Sequence, residues 1–214
     1  MMDSAYFGTY ARYETASKKD AAVLLGADSV VGDFFEIEFR VENGLSTAWM
    51  VNRFEVAVGC FDAETSHQLS LCAAKDWNLI AILSFVAFTE HPEPGYYWGE
   101  AAVIAYDPKE SDIMTPFLNR LAKKVSEGIR VDLDLGQQAF KLLRAEPETW
   151  LPTGRVKLPE QKPGTVYLKR RKKMSENLIE QGRRGNIGCY IGSWIFILAV
   201  VAAVIFGLKS CGVF

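Results

Sequence analysis

The most regular hydrophobic pattern lies in residues 33–42, which read DFFEIEFRVE. From Phe35 onward, apolar and charged side chains take alternate positions, so an extended chain would put the apolar ones on one face. This period of two predicts a half-buried strand. Asn43-Gly44 follows, which is a strong signal for a hairpin turn. We therefore predict a hairpin whose second strand lies within residues 49–61, where the alternation continues.

A second pair of strands is predicted from a longer apolar stretch. Residues 77–88 are almost wholly apolar, which suits a central strand, although a buried helix would have a similar composition. Pro92, Pro94 and Gly95 then turn the chain towards residues 96–106, YYWGEAAVIAY. We interpret the two stretches as a second hairpin.

Helical periodicity replaces the strand pattern after residue 108. Thr115-Pro116 supplies an N-cap with proline at the first helical position, apolar residues then recur at helical spacing, and Gly128 supplies an end. Residues 136–146, GQQAFKLLRAE, predict a further short helix. Strands that precede helices in this way predict the α+β class, with an antiparallel sheet of about four strands followed by helices that cover one face.

The C-terminal region has a different pattern, because residues 187–208 form a run of 22 residues without a charged side chain. At about 1.5 Å per residue a helix of this length reaches roughly 33 Å, close to a hydrocarbon thickness of about 30 Å. Tyr190 and Trp194 lie near one end, where aromatic rings favour the headgroup level, and Lys209 follows the other end. The pattern predicts a C-terminal single transmembrane helix.

Charge is distributed unevenly around this predicted anchor. The chain has a net charge of −2, but residues 165–186 contain seven Lys and Arg side chains against two Glu, and Lys209 is the only cation after them. Residues 1–164 therefore carry −8. Because cytoplasmic flanks of membrane helices are enriched in Lys and Arg, the bias predicts a single-pass protein with its N-terminal head in the cytoplasm. No stretch typical of a secretory signal peptide opens the sequence, which agrees with that orientation.

Residues 167–186 combine this basic charge with a few apolar positions, which predicts a basic helix beside the membrane. Its cations are expected to contact the anionic headgroups of a lipid bilayer: Lys169, Arg170, Arg171, Lys172, Lys173, Arg183 and Arg184. A solvated helix without lipid contact is one alternative. Nucleic-acid binding is another, but the cations have no aromatic residues between them, so we expect no nucleic-acid partner.

Small residues recur on one side of the predicted transmembrane helix, and a GxxxG pattern is among them. They are expected to form a helix-packing face: Gly188, Gly192, Ala199, Ala203 and Gly207. Such a face lets another helix approach closely, so the helix is predicted to associate with a second copy or with another protein. Chance composition is the alternative, since Gly and Ala are common in membrane helices.

Closely spaced prolines indicate where the head ends, because Pro147, Pro152, Pro159 and Pro163 exclude a regular helix or central strand. We predict a cytoplasmic α+β head at residues 1–157 and a proline-containing linker with the basic helix at 158–186. The transmembrane helix is predicted at 187–208, and a short tail at 209–214.

Candidate catalytic and metal-binding residues are few. His67 and His91 are the only histidines, and neither has a spacing typical of zinc or catalytic sites. Asp132 and Asp134 could bind a divalent cation from one face of a strand, although capping of the following helix is the simpler interpretation. The sequence contains no glycine-rich phosphate loop. We predict no catalytic, cofactor-binding or metal-binding residue, and no cofactor.

Two hypotheses of function follow from these patterns. In the first, the chain is a C-terminally anchored membrane protein whose head is a non-catalytic protein-binding or assembly module, kept near an unknown protein partner by the anchor. In the second, it is a membrane-tethered enzyme that acts on a lipid or a membrane-proximal substrate. A deep pocket with convergent carboxylates or a buried histidine would favour the enzyme, whereas an exposed apolar patch would favour the binding module.

Overall fold

Six strands of this protein close into a ring. The computed structural model describes residues 5–26, 28–42 and 44–173. The strands are β1 (Tyr6–Glu14), β2 (Phe34–Glu42), β3 (Leu45–Val51), β4 (Ala57–Phe61), β5 (Asn78–Thr89), β6 (Tyr96–Tyr106) and β7 (Thr165–Lys169). The helices are α1 (Lys18–Leu25), α2 (Ala63–Ala73), α3 (Ser111–Ser126) and α4 (Gln137–Ala145), and a short 3-10 helix, Pro108–Glu110, precedes α3.

The ring has the strand order β2-β3-β4-β1-β6-β5, and its neighbouring strands are antiparallel. It closes because the start of β2 pairs with β5, with Phe34 opposite Ile82. β7 extends the sheet, since it pairs with the last part of β5, where Thr165 lies opposite Thr89. Closure pairs strand edges that an open sheet would leave free.

The predicted fold, a sheet of about four strands followed by helices, is therefore wrong. Six strands close the ring, and α1 and α2 lie between strands in the chain. Strand β1 is not predicted from the sequence, because Gly8, Thr9 and Arg12 interrupt the alternation of apolar and polar residues in it. Helix α2 is not predicted either, because it buries only Ser66 and Leu69 and so has no apolar stripe of helical spacing.

The first predicted hairpin has the expected turn but a different second strand. Gly44 occupies the turn with φ of 77°, and β3 begins immediately after it. A second turn separates β3 from β4, because Asn52 Oδ1 accepts hydrogen bonds from the N–H groups of Phe54 and Val56, both at 3.0 Å. The stretch predicted as one strand therefore forms the end of a strand, a turn and another strand.

The second predicted hairpin is confirmed, because β5 and β6 pair along almost their whole length. Both strands are buried on two sides. Ala81 and Val103 point into the ring and pack in its core with Tyr13, whereas Ile82 and Ile104 face outward into a second core that includes α3. This double burial explains the nearly continuous apolar sequence, since neither face of the strands is left for water.

The two predicted helices are confirmed, although α3 begins earlier than expected. Its first residue is Ser111, whose carbonyl accepts a hydrogen bond from the Thr115 hydroxyl at 2.8 Å, so Pro116 lies inside the helix. Phe117 and Leu121 lie on its buried face and pack in the outer core over β5 and β6. α4 matches the predicted short helix at residues 136–146.

The chain after residue 157 continues the fold, where a linker and a basic helix are predicted. TVYLK forms β7, because its β-branched and aromatic residues suit pairing with β5, and the compact unit Met1–Lys172 includes it. Within the described part of the chain, no helix is both long and apolar enough to cross a membrane. The transmembrane helix predicted at residues 187–208 lies outside the described residues, as do residues 174–186 of the predicted basic helix.

Candidate functional site

A strap, defined here as residues 151–157, crosses the outer side of the molecule beside the extended chain that follows α3. Val131 and Arg155 form an isolated antiparallel bridge between the two. The Val156 N–H also donates to the Arg130 carbonyl at 2.9 Å. These backbone bonds fix which side chains the strap presents next to α3.

Arg130 ties the strap to the sheet. Its buried guanidinium forms an ion pair with Glu100 on β6, lies 4.1 Å from the centre of the Tyr10 ring and donates to the Lys157 carbonyl at 3.2 Å. Burial raises the pKa of Tyr10 to about 12, although the neighbouring Arg130 charge opposes the rise. Because a buried charge is costly without partners, these contacts favour a single position of the strap.

Helix α3 ends in a glycine cap that shapes the site. Gly128 has φ of 83°, its N–H donates to the Val125 carbonyl at 2.8 Å, and the Ile129 N–H donates to the Lys124 carbonyl at 2.9 Å. This pair of bonds is the Schellman arrangement, which satisfies carbonyls at the helix end and redirects the chain. Lys123 and Lys124, in the last turn, are favourable beside the negative end of the helix dipole.

A groove of about 260 Å³ lies between the end of α3 and the strap. Lys124 lines one side, and Thr153 and Arg155 line the other. The other lining residues are apolar and are called the apolar floor here: Ile129, Val131, Leu151 and Pro152. Lys124 Nζ pairs with Glu127 at 3.0 Å, whereas Arg155 forms no ion pair with any described carboxylate. The groove thus combines two cations with an apolar floor.

The basic segment that follows β7 packs against the same end of α3. The Lys172 N–H donates to the Ser126 carbonyl at 2.8 Å, and the backbone of Arg170 passes beside Gly128. Arg170 and Arg171 are exposed. We call the resulting surface the basic face: Lys123, Lys124, Arg155, Arg170 and Arg171. Lys124 and Arg155 are 31 positions apart in the sequence, so no local pattern identifies them as neighbours.

Lys169, predicted to contact lipid, has a structural role instead. Its side chain is buried, with the residue only 7% exposed, and Nζ donates to the carbonyls of Gly26 and Ser29 at 2.7 Å each. These bonds connect β7 to the chain after α1. Lys169 therefore stabilises the fold and is not available to a headgroup at the surface.

The other predicted surface cations fall into two groups. Arg170, Arg171 and Lys173 are exposed, and Lys172 is half-buried. The remaining predicted lipid-contacting and helix-packing residues lie outside the described residues: Arg183, Arg184, Gly188, Gly192, Ala199, Ala203 and Gly207. Their roles stay predictions from the sequence.

An exposed apolar rim lies at one end of the ring and consists of Phe34, Phe54 and Val56. The exposed fractions of these residues are 42%, 54% and 37%. The pairing of Glu36 with Val51 puts the start of β2 at the same end of the sheet as the turn after β3, where Phe54 and Val56 lie. Because the two Asn52 hydrogen bonds brace that turn, its apolar side chains are presented on a fixed backbone.

The predicted histidine and carboxylate candidates do not converge. His67 is exposed on α2, and His91 is exposed in the loop before β6. Asp132 Oδ1 accepts a hydrogen bond from the Asp134 N–H at 3.0 Å, and neither carboxylate caps α4, whose N-cap is Gly136. Among the described residues, no group of three or more His, Cys, Asp or Glu side chains is arranged to bind a metal ion.

No protein-family model, curated protein or solved structure matches this chain. Function therefore has to be inferred from the basic face, the groove and the apolar rim. Each of the three combines residues that are distant in the sequence.

Proposed function

We propose that this protein is a non-catalytic binding module that works at the cytoplasmic surface of a membrane. In this proposal the apolar segment at residues 187–208 anchors the chain, the basic face contacts anionic lipid headgroups, and the apolar rim binds a protein partner. The observation that carries the proposal is the hydrogen bond from Lys172 to Ser126, which brings the basic segment onto the end of α3.

Electrostatics support the lipid contact. The basic face combines cations from α3, the strap and the segment after β7, although residues 1–164 as a whole carry −8. Each Lys or Arg near an anionic leaflet contributes on the order of 1 kcal/mol, so a cationic face on an acidic unit favours one orientation towards the bilayer. Salt weakens this attraction, because charges at the surface are screened over about 8–10 Å.

The apolar rim supports a protein-binding role. Phe54 is half exposed although it lies on a braced turn, and Phe34 and Val56 lie at the same end of the ring. Exposed aromatic and aliphatic side chains that lie close together are typical of protein-interaction sites. A partner that buried them would gain about 25 cal/mol for each Å² of apolar surface.

The tethered enzyme remains the second hypothesis, and the described site favours it less. The groove between α3 and the strap is lined by neither histidine nor carboxylate. His67 and His91 are both exposed. General acid–base catalysis most often uses a histidine or a carboxylate within hydrogen-bond reach of the substrate, and this groove presents a lysine and an arginine instead.

The proposal is tested with the full-length chain expressed in cells. We expect alkaline carbonate to leave the protein in the membrane pellet, and protease added outside sealed cells to leave the folded unit intact. A photoreactive residue in place of Glu127, beside the basic face, should crosslink to anionic lipid. The same residue in place of Lys109, before the other end of α3, is the control and should crosslink much less.

Two results would contradict the proposal at different steps. Release of the protein by carbonate would show that residues 187–208 do not anchor the chain in the membrane. Equal lipid crosslinking from positions 127 and 109 would show that the basic face does not orient the folded unit, even if the chain is anchored.

A further inference from the structure

We infer that the groove between α3 and the strap is a binding site for the phosphomonoester headgroup of a membrane lipid. This inference rests on the proposed membrane location and makes it more specific, because it names one lipid chemistry and the residues that would select it. Lys124 and Arg155 would bind the phosphate from opposite sides, and Thr153 would donate a hydrogen bond from its hydroxyl.

The size of the groove limits the ligand. Its volume of about 260 Å³ is slightly below the range of roughly 300–1,000 Å³ that is common for drug-sized ligands. A nucleotide or a large cofactor would extend far outside it. A compact phosphate group with a few attached carbons matches both the volume and the mixed lining.

The charges of the groove favour a doubly charged phosphate. Arg155 forms no ion pair with a described carboxylate, and Lys124 pairs with only one, Glu127 at 3.0 Å, so its ammonium group has further donors. Asp132 lies close to the strap beside Gly154, but neither Asp132 nor Glu127 lines the groove, so the charged groups that a ligand in the groove would meet are the two cations. A phosphomonoester carries about −1.5 to −2 at neutral pH, whereas the diester phosphate of most phospholipids carries less.

The apolar floor distinguishes a lipid from a free anion. Ile129 and Val131 follow the α3 cap, and Leu151 and Pro152 begin the strap, so carbon atoms line the groove together with the cations. A hydrated inorganic phosphate gains nothing from such a floor, whereas the glycerol carbons of a lipid can bury apolar surface against it.

The test measures ligand binding by the full-length chain in neutral, non-ionic micelles, with calorimetry as the readout. The probes are dioctanoyl phosphatidic acid, dioctanoyl phosphatidylserine and inorganic phosphate. We expect phosphatidic acid to bind tightest, and Lys124→Gln and Arg155→Gln each to weaken its binding by about tenfold or more. Lys109→Gln is the matched control, because Lys109 is an exposed lysine before the other end of α3 and lies outside both the groove and the basic face. An unfolding curve of each variant checks that the fold is retained.

The possible outcomes separate this inference from the proposed function. Equal losses in Lys109→Gln and Lys124→Gln, or equal binding of phosphatidylserine and phosphatidic acid, would show a diffuse charge effect and overturn the site while leaving the membrane proposal intact. Inorganic phosphate binding as tightly as phosphatidic acid would overturn the lipid assignment. If the chain binds phosphatidic acid selectively but carbonate releases it from membranes, the ligand does not come from a membrane in which the chain is anchored. That result would contradict the proposed function.

Discussion

Replacing Arg130 with methionine tests whether one buried ion pair fixes the strap to the sheet. The side chains of Arg130 and Glu100 are only 5% and 16% exposed, so the variant leaves an almost buried carboxylate without its partner. Removing one member of a buried pair typically costs about 3–5 kcal/mol. Glu100 keeps some contact with water, and methionine retains packing against the Tyr10 ring, so we expect a loss of about 3 kcal/mol in the free energy of unfolding.

The measurement is urea unfolding of the full-length protein in non-ionic micelles, followed by tryptophan fluorescence. Arg40→Met is the matched control, because the side chains of Arg40 and of its ion-pair partner Glu38 are 43% and 51% exposed. Exposed pairs contribute about 0–1 kcal/mol, so this variant should differ little from the wild type. The double variant Arg130→Met with Glu100→Gln should recover at least about 1 kcal/mol, since it removes the unpaired charge. Equal losses for Arg130→Met and Arg40→Met, or no recovery in the double variant, would refute the reasoning.

The same assay checks three further predictions. Gly32→Ala should lower the free energy of unfolding by at least about 1 kcal/mol more than Gly44→Ala. Both glycines have positive φ. At Gly32 the new Cβ would lie 2.7 Å from a backbone carbonyl, whereas at Gly44 it would meet open space. Lys169→Met should lower the free energy of unfolding by about 1–3 kcal/mol, because the Gly26 and Ser29 carbonyls lose their hydrogen-bond donor. Arg170→Met, at the surface, is the control and should change the free energy of unfolding little. The pKa of Tyr10 is raised to about 12 in the fold, against 10.0 for an ordinary tyrosine. The contribution of Tyr10 to the free energy of unfolding is therefore complete below pH 10 and is lost as the pH rises towards 12. Tyr10→Phe should reduce this loss of stability at alkaline pH, and an unchanged pH profile would exclude Tyr10 as its source.

The local pattern of apolar residues was sufficient to predict an element where that pattern has one dominant period. The β5–β6 hairpin, α4 and most of α3 belong to this group, because a long apolar stretch before a turn, or an amphipathic stripe, indicates the same element in almost any surroundings. The hairpin turn at Gly44 is set by backbone chemistry within two residues, so it too was predictable.

Only the tertiary structure decided the closure of the ring, the role of Lys169 and the composition of the site. The pairing of Phe34 with Ile82 that closes the sheet joins residues 48 positions apart, and no local period encodes it. Lys169 belongs to a run of five consecutive cations, but pairing of β7 with β5 directs its side chain towards the Gly26 and Ser29 carbonyls. The hydrogen bonds to these two carbonyls offset the cost of removing its ammonium group from water. Lys124 and Arg155 become neighbours because the glycine cap of α3 and the buried Arg130 bring two distant segments together. The sequence by itself determined the second hairpin, helices α3 and α4 and the charge of each segment. Long-range pairing and burial decided the remaining strands and which charges meet at the surface, because those contacts depend on the whole chain.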